Sequence, residues 1–140
     1  DLKNWEPDGE ILDKTDIKNV LHIMNRWLAG EVACVEEYES ALTRYAEQQL
    51  QQIDGLKVYG TTEGKCSIVS FNVEGVHHYD IGMILDKLGV AIRTGQHCAE
   101  PVMAHYGVTG MCRASIAMYN TREEIDSLCR GVERAVKMLR

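Results

Sequence analysis

The C-terminal segment sets terms that the rest of the chain has to meet. Thr121 and Glu124 stand at capping-box spacing, and Ile125, Leu128, Val132, Val136 and Leu139 then recur every three or four residues. Arg130, Arg134, Lys137 and Arg140 suit the negative end of that helix's dipole. A helix with so continuous an apolar stripe needs a sheet or a partner to cover it. Upstream segments supply the sheet. Ser67 to Val73 alternates Ile68, Ser70 and Asn72 with Val69, Phe71 and Val73. Leu56 to Tyr59 precedes it across a turn-rich loop, Gly60 to Lys65, and reads as its hairpin partner. Cys112 to Tyr119 alternates Cys112, Ala114, Ile116 and Met118 against Arg113, Ser115, Ala117 and Tyr119. The short run Val90-Ala91-Ile92 reads as a further buried strand ending in Arg93.

Helical spacing accounts for most of the remainder. Thr15 is placed to cap a helix carrying Ile17, Val20, Leu21, Met24 and Leu28, closed by Gly30, with Trp27 packing beside the stripe. A second helix spans about Val32 to Ile53, with Val35, Tyr38, Leu42, Tyr45, Gln49 and Ile53 inward and Glu37, Arg44, Glu47 and Gln48 solvated. Asp80 is placed to cap a helix holding Ile81, Ile84, Leu85 and Leu88, with His77 and His78 in structural or surface roles at its start. Pro101 to Tyr106 makes a short helix ended by Gly107. The order predicts a small α+β domain: three or four mostly antiparallel strands covered by helices. Residues 1–36 read as a helical lead-in and 37–140 as the domain proper.

Composition narrows the function. At 140 residues the chain is long enough for one cored domain, and its net charge of -6 offers no basic face for nucleic acid or an anionic membrane. No apolar run approaches the roughly 20 residues that span a bilayer. Five cysteines without a C-x-x-C pair support neither a disulfide framework nor a closed zinc site, and no metal is expected. This usage, with a polar, acidic N-terminus, predicts a reducing, cytoplasmic setting.

The chemistry gathers in Arg93-Thr94-Gly95-Gln96-His97-Cys98-Ala99-Glu100-Pro101. Gly95 permits a sharp departure from a strand and Pro101 can open a helix, so Cys98 falls on a tight strand-to-helix loop between an arginine and a histidine. Such a place suits a thiolate nucleophile, although a small residue merely filling a turn has the same spacing. Arg93 and Arg113, at strand ends, suit bidentate binding of a carboxylate or phosphate. An arginine five residues before the cysteine, and a carboxylate after it, argue against a phosphatase loop.

These blocks, with Met111-Cys112-Arg113-Ala114-Ser115 and Tyr119-Asn120-Thr121, closely resemble the C-terminal part of a cysteine desulfurase. The resemblance is to the SUF-type, or group II, branch of class V aminotransferases, which includes selenocysteine lyases, and extends from about Glu37 to Arg140. It implies the C-terminal domain fold of fold-type I pyridoxal-phosphate enzymes. It implies that Cys98 is the catalytic thiolate, taking sulfur from the pyridoxal-phosphate adduct of L-cysteine as a persulfide and releasing alanine. Arg113 then binds the substrate carboxylate, Arg93 and His97 support the cysteine loop, and Asn120 is structural.

The resemblance further implies L-cysteine or L-selenocysteine as substrate, a sulfur-acceptor protein serving iron–sulfur cluster assembly, and a homodimer of the full-length enzyme. Pyridoxal 5'-phosphate is expected to be held mainly by a large domain outside this chain, because none of Lys3, Lys14, Lys18, Lys57, Lys65, Lys87 and Lys137 follows a histidine as the family's cofactor lysine does. The chain alone is therefore expected to be inactive. The alternative is a stand-alone sulfur carrier or interaction module that works without the cofactor.

Overall fold

A computed structural model describes residues 18, 21, 24–26, 28–30, 33–62 and 64–140. Helix α1 (Ala33–Leu50) leads into a hairpin of β1 (Leu56–Tyr59) and β2 (Ile68–Val73). Helix α2 (His78–Lys87), strand β3 (Arg93–Gly95), helix α3 (Glu100–Tyr106), strand β4 (Met111–Ser115) and helix α4 (Arg122–Leu139) follow. The strands form one sheet in the order β1-β2-β4-β3, and every neighbouring pair is antiparallel. The expected α+β class, strand number and hairpin are all present.

Side chains alternate across a strand, so the sheet has two distinct faces. Val69, Phe71 and Val73 of β2 are buried, as are Cys112 and Ala114 of β4, under α1, α2 and α4. Leu42, Ala46 and Leu50 reach this core from α1, Ile81 and Leu85 from α2, and Ile125, Leu128, Val132 and Val136 from α4. Phe71 is wholly buried at its centre. Phe71→Ala is expected to cost about 3–5 kcal/mol, a large part of the roughly 5–15 kcal/mol by which a domain is stable. A fall in the urea midpoint of that size, read by circular dichroism, checks it.

The C-terminal helix is fastened as its sequence predicts. The Thr121 hydroxyl accepts from the Glu124 amide at 3.3 Å, and the Glu124 carboxylate accepts from the Thr121 amide at 3.1 Å. Asn120 adds to this junction. Its side chain accepts from the Ala117 amide at 2.9 Å and donates to Glu124 at 2.8 Å, while Tyr38 of α1 donates to its carbonyl at 2.7 Å. This places Asn120 in the structural role expected of it.

Several boundaries differ from expectation. Val90-Ala91-Ile92 is not a strand: Ala91 is exposed, and β3 begins only at Arg93, where backbone pairing with β4 becomes possible. Strand β4 stops at Ser115, because the chain turns over Ala117–Asn120. His77, not Asp80, caps α2, its ring accepting from the Tyr79 amide. Glu100 already belongs to α3, with Ala99 as its N-cap. The α1 stripe rotates to bury Ala46 and Leu50, leaving Gln49 half-buried, and Glu47 pairs with Lys65 rather than standing free. Leu139 is exposed at the end of α4. Of the lead-in, Lys18, Leu21, Met24, Asn25, Arg26 and Leu28 are helical, and Leu28 is exposed. Thr15, Ile17, Val20 and Trp27 lie outside the described residues.

Candidate active site

The opposite face of the sheet carries the polar residues. Register places Tyr59, Ser70, Arg113 and Arg93 side by side across the four strands: Tyr59 opposes Ser70, Ser70 opposes Arg113, and Arg113 opposes Arg93. Like charges directly opposite one another across a ladder repel. The Nε of Arg113 is moreover buried and, among the described residues, without a hydrogen-bond partner. A guanidinium that is partly desolvated, unpaired on one nitrogen and set against a second guanidinium is arranged to receive an anion. Arg93, on the edge strand, is exposed.

Cys98 lies in the turn between β3 and α3 and is exposed. Sequence reasoning assigned the sharp departure to Gly95, which does have a φ of 120°. Two further residues share the strain. His97 and Cys98 have φ of 55° and 56°, and among the described residues they are the non-glycine positions in the left-handed region. Each such residue costs on the order of 1–2 kcal/mol, so the surrounding structure has to impose this shape. The Ala99 amide closes the turn by donating to the Gln96 carbonyl at 2.9 Å, and His97 Nε2 lies 3.1 Å from the Met111 carbonyl of β4.

Two of the thiols are chemically quiet. Burial pushes Cys112 up to about 12 and Cys129 up to about 11, so neither forms a thiolate near neutrality. Among the cysteines whose side chains are described, Cys66 and Cys98 are exposed. Cys98 alone of the two sits in the segment that carries Arg93 and packs against the strand of Arg113.

A further group was legible only in part in the sequence, which placed His77 and His78 at the start of α2. His78 is buried, its ring stacked on His77 with centroids 4.3 Å apart. A Cβ on Gly110 would meet His78 Nε2 at 2.5 Å, so a side chain at the entrance to β4 would have to displace the His78 ring. Asn72, on the polar face of β2, donates to the Gly110 carbonyl at 2.9 Å, and its Oδ1 is buried without a partner among the described residues. The alternation of β2 was the signal that placed Asn72 on this face. The Gly110 requirement had no sequence signal. A concavity of about 520 Å³, lined in part by Lys57, Asn72, His77, His78 and Gly110, opens here, and Cys98 and both arginines lie outside it.

Burial holds His78 below the ordinary imidazole value of 6.5, His77 and His97 lower it further, and Asp80 opposes them. The neutral ring is thus favoured in the folded state. Its contribution to stability is complete above pH 6.5 and is lost as pH falls below that value, because the unfolded chain then binds the proton more readily. Urea midpoints at pH 7.5 and 5.5 are expected to fall more steeply for the wild type than for His78→Gln.

Comparison with known proteins now bears on these features. Residues 19–128 match the sequence profile described as aminotransferase class-V. The chain belongs to the class V aminotransferase family. It is 52% identical over 106 residues to a cysteine desulfurase of Yersinia pseudotuberculosis serotype O:1b (strain IP 31758), which covers 75% of this chain and 26% of that protein. A cysteine desulfurase of Serratia proteamaculans (strain 568) is 50% identical over 105 residues, with the same coverage. The solved structure of the cysteine desulfurase CsdA (S-sulfonic acid) from Escherichia coli superposes with a TM-score of 0.70 at 38% identity, covering 75% of this chain and 26% of that one. The chain therefore spans about a quarter of the length of these class V relatives.

Class V desulfurases depend on pyridoxal phosphate, and the described residues do not fit its covalent attachment here. Lys57 sits over the Tyr59 ring two strands away from Arg113, and Lys65 is paired with Glu47. Lys18, Lys87 and Lys137 are exposed on helices. Nor do the described residues contain a group of three or more histidines, cysteines and carboxylates able to hold a metal ion.

Proposed function

We propose that this segment is the sulfur-accepting domain of a cysteine desulfurase. In this reading Cys98 attacks the sulfur of L-cysteine. A sulfur–sulfur bond forms, the substrate's carbon–sulfur bond breaks, and its electron pair passes to the β-carbon, which takes a proton and leaves as part of alanine. Cys98 retains the sulfur as a persulfide. Arg113, with Arg93 beside it, holds the substrate carboxylate by charge-assisted hydrogen bonds. Pyridoxal phosphate is the business of a part of the protein outside this chain.

The observation that carries this reading is the buried, unpaired Arg113 Nε opposite Arg93, on the strand against which the Cys98 loop is fastened. The persulfide passes to an acceptor protein for iron–sulfur cluster assembly, and the whole enzyme works as a homodimer in the cytoplasm. Selenocysteine is the second substrate of the same chemistry.

The test is a chimera in which this segment replaces the corresponding quarter of the Yersinia enzyme. After incubation with L-cysteine, a gain of about 32 Da, the mass of one sulfur atom, is expected on the Cys98 peptide and not on the Cys66 peptide. Sulfur found on Cys66, or alanine formed without any protein-bound sulfur, overturns the assignment. Transfer to the isolated chain from a separate, active desulfurase, with no cofactor bound to this chain itself, instead favours a stand-alone carrier.

A further inference from the structure

We infer that His97 is a positioning residue: by hydrogen bonding to the first carbonyl of β4, it holds the left-handed His97–Cys98 pair in place and fixes the Cys98 thiol relative to Arg113. The inference rests on the sulfur-accepting reading for its consequence, but not for its geometry.

Three observations support it. The turn has a shape that its own residues disfavour, since His97 and Cys98 are both left-handed without being glycine. Among the described residues, its one side-chain hydrogen bond out of the turn runs from His97 Nε2 to the Met111 carbonyl. The point that His97 grips is itself immobilised. The Gly110 carbonyl just before it is held by Asn72 of β2, and the His78 ring packs directly against Gly110. The consecutive carbonyls of Gly110 and Met111, the latter two residues before Arg113, are thus bonded by side chains from β2 and from the cysteine turn.

A carbonyl only accepts, so Nε2 must carry the hydrogen, and it does so in both the neutral Nε2–H tautomer and the imidazolium. The tether therefore survives protonation of His97. A histidine that exchanged protons with Cys98 through this nitrogen would have to give the tether up. The two roles differ in their pH behaviour.

The test uses the 140-residue chain with His97→Ala and His97→Gln, the glutamine amide offering a donor at similar reach. Amide exchange of Cys98 and Ala99 and iodoacetamide alkylation of Cys98, with exposed Cys66 as the internal reference, are measured at pH 6 and 8. Exchange at Ala99 is expected to rise about tenfold in the alanine variant and to return towards the wild type in the glutamine variant, as for loss and recovery of one hydrogen bond. The Cys98-to-Cys66 alkylation ratio is expected to shift in the alanine variant and recover in the glutamine variant, while exchange in α4 stays constant. Wild-type exchange at Ala99 in the alanine variant, no recovery with glutamine, or loosening confined to one of the two pH values each overturns the inference. None of these readouts needs sulfur transfer, so failure of the tether and failure of the persulfide assignment are separable.

Discussion

Cys98→Ser in the desulfurase chimera is expected to abolish the protein-bound persulfide and to lower sulfur release from L-cysteine roughly 10³-fold or more, as removal of an attacking nucleophile does. A serine hydroxyl fits the same left-handed turn but stays protonated near neutrality and is a poor nucleophile towards sulfur. Because Cys98 is exposed and its side chain makes no hydrogen bond to the described residues, the stability of the fold should move by no more than about 0.5 kcal/mol. Cys66→Ser is the matched control, an exposed thiol on another loop, and should keep full activity. Cys112 and Cys129 cannot substitute, since burial keeps both protonated. The measurement is intact-protein mass after incubation with cysteine, alongside alanine formation. A Cys98→Ser protein that still gains one sulfur atom refutes the role given to this residue.

The parts of the fold that were legible are those where a local pattern and the burial demand agree. The α4 stripe with its capping box, and the alternation of β2, each name one buried face, and the structure uses those faces. Strand β3 was misplaced by three residues because a short apolar run says that a segment is partly covered and not where its backbone pairs. Val90 and Ile92 do pack against the core, but from a connecting segment, and the ladder begins only where Arg93 comes opposite Arg113. Helix α2 began earlier than expected because a histidine can cap as Asp80 was expected to, and nothing local discriminates between them.

The site was legible as an inventory of residues and not as an arrangement. Cys98, His97, Arg93 and Arg113 were named from spacing and resemblance, but only register sets the two guanidinium groups opposite each other. The structural demands on Gly110 and Asn72 come from residues 32 and 38 positions away, His78 and Gly110 respectively. Contacts of that separation leave no periodic trace in a single sequence. The left-handed pair at His97–Cys98 departs from local preference, which is where a functional constraint is most often found.

That same tension makes Arg113 the more revealing substitution. In the chimera, Arg113→Ala should reduce kcat/KM for L-cysteine by about 100-fold, the value of about 3 kcal/mol for a charge-assisted carboxylate contact. The loss should fall mainly on KM, because the substrate carboxylate is held equally before and during sulfur transfer. Arg113→Lys should recover only part of it, since an ammonium cannot reproduce the two parallel bonds of a guanidinium. Arg93→Ala should cost severalfold at most, its charge being exposed and screened. In the chain without substrate the sign reverses. Removing Arg113 removes a buried donor without a partner and a like charge facing Arg93, so Arg113→Ala should leave the urea midpoint unchanged or raise it. A residue kept for packing loses stability when truncated, whereas one kept for a ligand loses binding and leaves the empty fold no worse. Steady-state kinetics and urea unfolding on the same variant separate the two. A destabilised Arg113→Ala chain with an unchanged KM for cysteine would show that the guanidinium serves the sheet and not the substrate.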